Sequence, residues 1–418
     1  MQASIPLPMA SRVDPGSRIA PKVSRRWLSL LLIGAGALLG QSAFVRDWSF
    51  MGQQLPATLI MTACLTMLLL LWSGVGLRRE GAALMLGWYL GAGTVIPGIW
   101  AGFFGPSILG DVAWIAWSLM MAAPYALAPR MYPRLGVLCG LVITSVPPIG
   151  VLGMVSPMLA AGAMFPGWGW LGLACVLLFF ALQAFDSKWV LATTSVVALF
   201  GAYQAVKPAM APPTMAYAVT SYIGTYPDDP IKQFAIQDRL KKQVSDAIRK
   251  GAKLIVLPEG ADPYWNDGQV FYWQDVKALA LRHHAQVLIG VYIQTIFANS
   301  GRDALYDLTS GKTYAATMPM PIGMWKPWQP QANFPVQWKA NLIPTAFGPA
   351  AYSICYEDLL LWPVAMQMAG HRPTMLISAA NQWFAHGHES RPQSRSIALQ
   401  ARLWGVPLLR SVNHATLD

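Results

Sequence analysis

Leu254-Ile255-Val256-Leu257-Pro258-Glu259 decides the reading of the fold. Four apolar residues in a row, two of them β-branched, make a short strand buried on both faces. Pro258 cannot donate to a ladder and ends it. Glu259 then stands at the strand's carboxyl end, and in parallel α/β sheets such ends converge on one crevice. A second stretch, Ser353-Ile354-Cys355-Tyr356-Glu357, closes a strand over 350–354 and leads into a helix expected over 358–368. A helix N-terminus favours an anion, so the thiol of Cys355 is expected to lose its proton more easily. A thiolate attacks an acyl carbon and forms a thioester. A carboxylate facing it serves as general base, for the thiol and then for the incoming amine or water. A lysine or backbone N–H groups would stabilise the oxyanion.

The surrounding pattern is that of an α/β domain. A strand is expected over 215–223. Ile231, Phe234, Leu240, Val244 and Ile248 then recur at helical spacing, with Lys241, Lys242, Arg249 and Lys250 on other faces, in water or against anionic headgroups. A helix over 274–284, a strand over 287–293 and a hairpin at Ser310-Gly311-Lys312 follow. Beyond Cys355 come a strand over 375–378, a helix over 391–404 and a strand over 407–412. Strands alternating with helices give sheets covered by helices.

The rest of the chain differs in composition. Of 418 residues, 55% are hydrophobic and 12% charged, whereas soluble domains carry roughly 25% charged residues. The deficit lies in residues 27–206. About seven apolar stretches, at 27–45, 56–77, 82–103, 112–128, 133–153, 166–184 and 189–206, approach the roughly 20 residues a span requires. The first follows Arg18, Lys22, Arg25 and Arg26 and reads as an uncleaved helix. Arg78, Arg79, Arg130, Arg134 and Lys188 fall on the side of the basic N-terminus, which is therefore expected in the cytoplasm. An odd number of spans puts everything beyond 207 on the outer side. Trp48, Trp72, Trp100 and Trp114 or Trp117 are candidates for an interfacial belt, or for packing between helices. The expected organisation is a basic cytoplasmic N-terminus over 1–26, a transmembrane domain over 27–206, a linker over 207–214 and a globular domain over 215–418. The net charge of +11 clusters at the chain start and beside apolar stretches, so no direct nucleic-acid partner is expected. Cys64, Cys139 and Cys175 lie in apolar stretches and Cys355 is alone in the globular half, which disfavours a disulfide framework.

The stretch ending in Glu259 resembles the glutamate motif of the nitrilase (carbon–nitrogen hydrolase) superfamily, and Ser353–Glu357 resembles its cysteine motif. Asn381-Gln382-Trp383-Phe384, Arg391-Pro392-Gln393, Ala401-Arg402 and Arg410-Ser411-Val412-Asn413 resemble later motifs of its membrane branch, apolipoprotein N-acyltransferase. Among proteins of this layout the chain most resembles the TraB-type conjugal transfer proteins of plasmids. The resemblance implies a multi-pass α-helical membrane domain joined to a nitrilase-like four-layer α-β-β-α sandwich on the periplasmic side of a bacterial inner membrane. It implies a Glu–Lys–Cys triad, with Glu259 the base, Cys355 the nucleophile and Glu357 an accessory carboxylate. No cofactor or metal is implied. The lysine position falls on Ala316 and a companion glutamate position on Met324. Lys326 is the nearest substitute, with Lys312 and Lys339 as other options. The chain stops soon after Asn413, where the acyltransferases continue into a final membrane helix.

The resulting expectation is acyl transfer or amide hydrolysis through a thioester at Cys355, with an inner-membrane phospholipid or another acyl donor and with conjugation-machinery proteins as partners. The alternative is a catalytically impaired nitrilase-like scaffold that docks the transfer machinery. His386-Gly387-His388-Glu389 reads as a polar loop rather than a metal set, and His283-His284 as helix surface. Trp325, Trp328, Trp338 and Trp383 with Met318, Met320 and Met324 make either core or a loop that meets lipid.

Overall fold

The computed structural model of the chain describes residues 25–50, 53–127, 132–185, 190–294, 300–339 and 341–416. The N-terminal half is a helical bundle: α1 (Arg25–Phe44), α2 (Ala57–Ser73), α3 (Arg78–Ala92), α4 (Ile96–Phe104), α5 (Ile108–Ala122), α6 (Gly136–Ser145), α7 (Ala160–Met164), α8 (Trp170–Phe185) and α9 (Val190–Ala205). A two-stranded ribbon, β1 (Ser49–Phe50) with β2 (Gln53–Gln54), joins α1 to α2. Small residues set the closest packing. Gly36 and Gly40 on α1, and Gly87 and Gly91 on α3, repeat at a four-residue interval. A Cβ on any of them would strike the backbone of the opposite helix. Backbones in contact through small-xxx-small faces are the usual way helices associate in lipid.

Two helical segments among the described residues, Arg26–Phe44 and Ile108–Ala126, are long and apolar enough to cross a membrane. α3 and α4, bent by 47° at their junction, make a third if they form one broken span. The expectation of seven spans is thus not met by helix length. The apolar stretches are helical but interrupted: the fifth breaks at Pro147-Pro148, and α8 and α9 are 16 residues each. Arg18, Lys22, Arg130 and Lys188, on which the orientation leans, lie outside the described residues. Of the candidate belt tryptophans, Trp72 and Trp117 are buried, their indoles donating to the carbonyls of Arg134 and Leu152. Packing between helices accounts for both.

The C-terminal half is a four-layer α-β-β-α sandwich. Its strands are β3 (Ala216–Ala218), β4 (Thr220–Ser221), β5 (Leu254–Val256), β6 (Asp262–Trp265), β7 (Gln286–Gln294), β8 (Gly301–Asp307), β9 (Thr313–Ala315), β10 (Ile343–Thr345), β11 (Gly348–Ile354), β12 (Met375–Gln382) and β13 (Leu408–His414). One sheet runs β3-β5-β7-β8-β9, with β6 also on β7; the other runs β10-β11-β12-β13-β4. The single strand expected over 215–223 breaks at Val219 and serves both sheets. Leu254, Val256, Leu288 and Leu305 from one sheet meet Tyr352, Ile354, Ile377 and Leu409 from the other. α10 (Pro230–Arg249), α11 (Asp267–Tyr272) and α12 (Gln274–Arg282) flank the first sheet, with Leu240, Val244 and Val276 packed on Ile255 and Val287. α13 (Leu361–Met368) and α14 (Arg391–Trp404) cover the second.

Bundle and sandwich share α14. Ile397 and Ala401 face the sheet, whereas Leu399 and Leu403, with Leu361 of α13, belong to the bundle core. Backbone carbonyls of Arg402 and Leu403 accept from the N–H groups of Gly167 and Gly169, both at 2.8 Å. Arg395 donates to the carbonyls of Ser42, Ala43 and Arg46 at the end of α1 and pairs with Asp47 at 2.7 Å.

Candidate active site

Glu259 and Cys355 line one cavity of about 310 Å³. Glu259 follows β5 on a turn that lies directly on β7, where a Cβ at Gly290 would meet the Pro258 carbonyl. It is 4% exposed, and its Oε1 accepts from the Tyr292 hydroxyl at 3.2 Å. Its Oε2 is buried with no hydrogen-bond partner. Asp303 on β8 sits opposite Tyr292 in the ladder, is 3% exposed, lines the same cavity, and also leaves one buried oxygen, Oδ1, without a donor.

Cys355 ends β11 with φ +47°, a left-handed backbone that side chains with a Cβ adopt at a cost of roughly 1–2 kcal/mol. Such outliers persist where the surroundings over-determine them. Gln393 of α14 donates to the Cys355 carbonyl at 2.8 Å, and its own side-chain oxygen accepts from Gln382 at 2.8 Å. Glu357 accepts from the backbone N–H groups of Ile354 and Met318, at 2.8 and 2.9 Å. The thiol points at the Asn381 carbonyl, 3.7 Å away.

Some expectations change here. The helix expected over 358–368 is split into a 3-10 turn, Cys355–Leu359, and α13. A single short turn supplies little dipole. Burial, and next the Glu259 carboxyl, push the Cys355 thiol well above its usual range rather than below it. Base-assisted deprotonation, not a resting thiolate, fits this site. Glu357 is fully buried and serves as a clamp between the strand end and the 317–318 loop; it does not line the cavity. Burial first raises its carboxyl to about 7, against the pull of its backbone donors.

Among the described residues, no lysine or arginine lines the cavity. Lys326 is partly exposed, with its backbone N–H held by Asn333, and Lys312 and Lys339 are exposed. Ala316 is buried between the sheets. The acidic side is stronger than the sequence reading allowed. Burial first, then the neighbouring Glu259, drive the Asp303 carboxyl well above its ordinary value. Burial likewise raises Glu259, opposed by the polar groups of Cys355, Asp303 and Tyr292 around it. No motif in the sequence marks Asp303 or Tyr292, and Gln393 stands out only within the Arg391-Pro392-Gln393 resemblance. The visible signal for Asp303 was an acid in an otherwise inward-facing position of the apolar run Asp303-Ala304-Leu305.

The other walls are apolar. Phe103 and Phe104 come from α4, Met320 and Met324 from the loop after β9, and Trp383 from the turn after β12. Phe103 packs on Trp383 and Phe384, with ring centres at 4.8 and 5.0 Å. Of the Trp- and Met-rich neighbourhood, Met318 and Trp325 are core, Trp338 stacks on Trp362, and Trp328 is 61% exposed.

No family model matches the chain. It is 25% identical to conjugal transfer protein TraB of Agrobacterium fabrum over 419 residues, covering 93% of each chain. It is 27% identical to a probable conjugal transfer protein TraB of Sinorhizobium fredii over 365 residues, covering 82% of this chain and 90% of the relative. The resemblance to TraB-type proteins therefore runs through most of the chain. Solved structures similar to it include a mutant amidase from Nesterenkonia sp. AN1 (TM-score 0.33, 15% identity, 47% of this chain and 76% of that one). Another is Saccharomyces cerevisiae Nit3, of branch 10 of the nitrilase superfamily (TM-score 0.31, 16% identity, 49% and 79%).

Proposed function

We propose that the protein is a membrane-bound enzyme of plasmid conjugal transfer that moves or hydrolyses an acyl group through a thioester at Cys355. The observation that carries this reading is the meeting of Glu259 and Cys355 in one cavity that is walled, apart from Tyr292, Asp303 and Asn381, mostly by apolar side chains. Glu259 takes the thiol proton, sulfur bonds to the acyl carbon, and the leaving amine or alcohol departs with a proton. An amine or water then attacks the thioester and frees the thiol. Phe103, Phe104, Met320 and Met324 suit an acyl chain, and a membrane phospholipid is the donor this wall favours. The bundle sits in a bacterial inner membrane, with the sandwich on the periplasmic side. The TraB relatives support the conjugal role. The test is to incubate the purified protein with p-nitrophenyl butyrate and map the acyl adduct by mass. An adduct on Cys355 that vanishes in Cys355→Ser, together with loss of conjugation frequency in the same variant, is the expected result. Wild-type transfer frequency in Cys355→Ser overturns it.

The lack of a lysine or arginine lining the cavity among the described residues favours a second reading, a scaffold that keeps the sandwich without turnover. An unacylated Cys355 combined with transfer lost only on deletion of the whole protein would select it.

A further inference from the structure

Two buried carboxyl groups share the cavity with one thiol, and among the described residues no lysine or arginine lines it. Two adjacent buried carboxylates repel strongly, so one holds a proton. The unpartnered atoms say where that proton goes. Glu259 Oε2 and Asp303 Oδ1 are both buried and lack donors, whereas Glu259 Oε1 already accepts from Tyr292. A proton on Asp303 satisfies both orphans at once.

We propose that Asp303 is the positioning residue for Glu259: its neutral carboxyl donates to Oε2 of Glu259 and holds that base ionised and aimed at the Cys355 thiol. This rests on the reading of Glu259 and Cys355 as the reacting pair. A hydrogen bond from a neutral acid favours the charged form of its acceptor, as an ammonium would, but adds no charge. The arrangement also fixes the orientation of Glu259, because Tyr292 and Asp303, cross-strand neighbours on β7 and β8, grip its two oxygens from one side. Burial and Glu259 both act to keep Asp303 protonated at neutral pH. The other titratable groups facing the pair are Tyr292 from β7 and Cys355, Glu357 and Asp358 from the end of β11. Tyr292 stays protonated, its phenol pushed well above the usual range by burial and the two acids. Asp358 faces Arg410.

Alkylation of Cys355 by iodoacetamide tests this without any acyl substrate. The thiol proton passes to Glu259 and on to solvent, a carbon–sulfur bond forms, and iodide leaves. The rate at Cys355, followed by peptide mass, is measured from pH 5 to 9 in the full-length protein. Asp303→Ala is expected to move the half-maximum up by one pH unit or more, so that alkylation at pH 7 slows about tenfold. Asp303→Asn, which keeps a donor but cannot ionise, restores most of the rate. Should Asp303→Ala fail to fold, Asp303→Val, which also offers no donor, replaces it. An unmoved half-maximum in the variant lacking the carboxyl overturns the proposal, as does an equal shift in Asp303→Asn. If Cys355 alkylates as expected but p-nitrophenyl butyrate never acylates it, the acyl-transfer reading fails while the role of Asp303 stands.

Discussion

The phenol of Tyr356 donates a 2.9 Å hydrogen bond to the carbonyl of Val151, tying the residue after the candidate nucleophile to the helical bundle. Trp362 does the same one carbonyl earlier, at Gly150, 3.1 Å away. Tyr356→Phe leaves the half-buried Val151 carbonyl without its donor, at a cost of about 1 kcal/mol. A lower melting temperature in detergent and faster proteolysis between the two halves are expected. An unchanged melt would mean that water replaces the phenol.

Glu259→Gln removes the base and keeps the shape. Since base assistance commonly supplies about 10²–10⁴-fold, iodoacetamide labelling of Cys355 at pH 7 should fall at least tenfold. The decrease should shrink at pH 9, where hydroxide competes as base. Equal labelling at pH 7 would leave Glu259 without a catalytic role.

The left-handed backbone of Cys355 opposes stability. Cys355→Gly and Cys355→Ala both delete the sulfur, but only glycine adopts that conformation without penalty. The glycine variant should be about 1 kcal/mol more stable than the alanine variant, and both should be inert. The comparison is made by thermal melting. An alanine variant as stable as the glycine one would show that the turn relaxes.

Glu357 predicts how stability depends on pH. Its folded carboxyl titrates at about 7 against 4.5 as a reference. Between these values the folded state binds more protons than the unfolded one, so stability falls as pH rises through the window. The contribution is roughly 3 kcal/mol for a shift of this size. The melting temperature should therefore be higher at pH 5 than at pH 7.5, and Glu357→Gln should narrow the difference. A wild-type melt that rises across the window contradicts this.

Gly91→Val places a branched side chain against the Ala37 backbone of α1. Overpacking typically costs 1–3 kcal/mol, and more where backbone cannot yield. Gly34, with open space around it, serves as the control. Gly91→Val should fail to give a monodisperse peak on gel filtration, whereas Gly34→Ala should behave as wild type. A monodisperse Gly91→Val protein would mean that α1 and α3 can separate.

The sandwich was readable because its strands are continuous apolar runs with chain-breaking ends. Leu254–Val256 and Gly348–Ile354 both end where Pro258 and Cys355 indicated. The 391–404 periodicity became α14 without adjustment. The bundle was less legible, because hydropathy counts apolar residues and not the breaks at Pro147-Pro148 or between α3 and α4. The site was half legible. Glu259 and Cys355 advertise themselves at strand tips. Asp303 lies mid-strand, and its importance arises only from the ladder that sets it beside Tyr292, in a pairing between β7 and β8 that motif spacing does not encode. A motif names a residue type, a lysine, whereas among the described residues the acidic side chain beside Glu259 is the Asp303 carboxyl.

Because α14 lends Leu399 and Leu403 to the bundle and α4 lends Phe103 and Phe104 to the cavity, the chain is indivisible at its linker. A water-soluble fragment beginning near residue 207 would face solvent with two leucines, worth about 1.5–3 kcal/mol each when covered, and with a cavity open along one wall. Assays on such a truncation would measure a breached vessel, so bundle and sandwich have to be tested as one object.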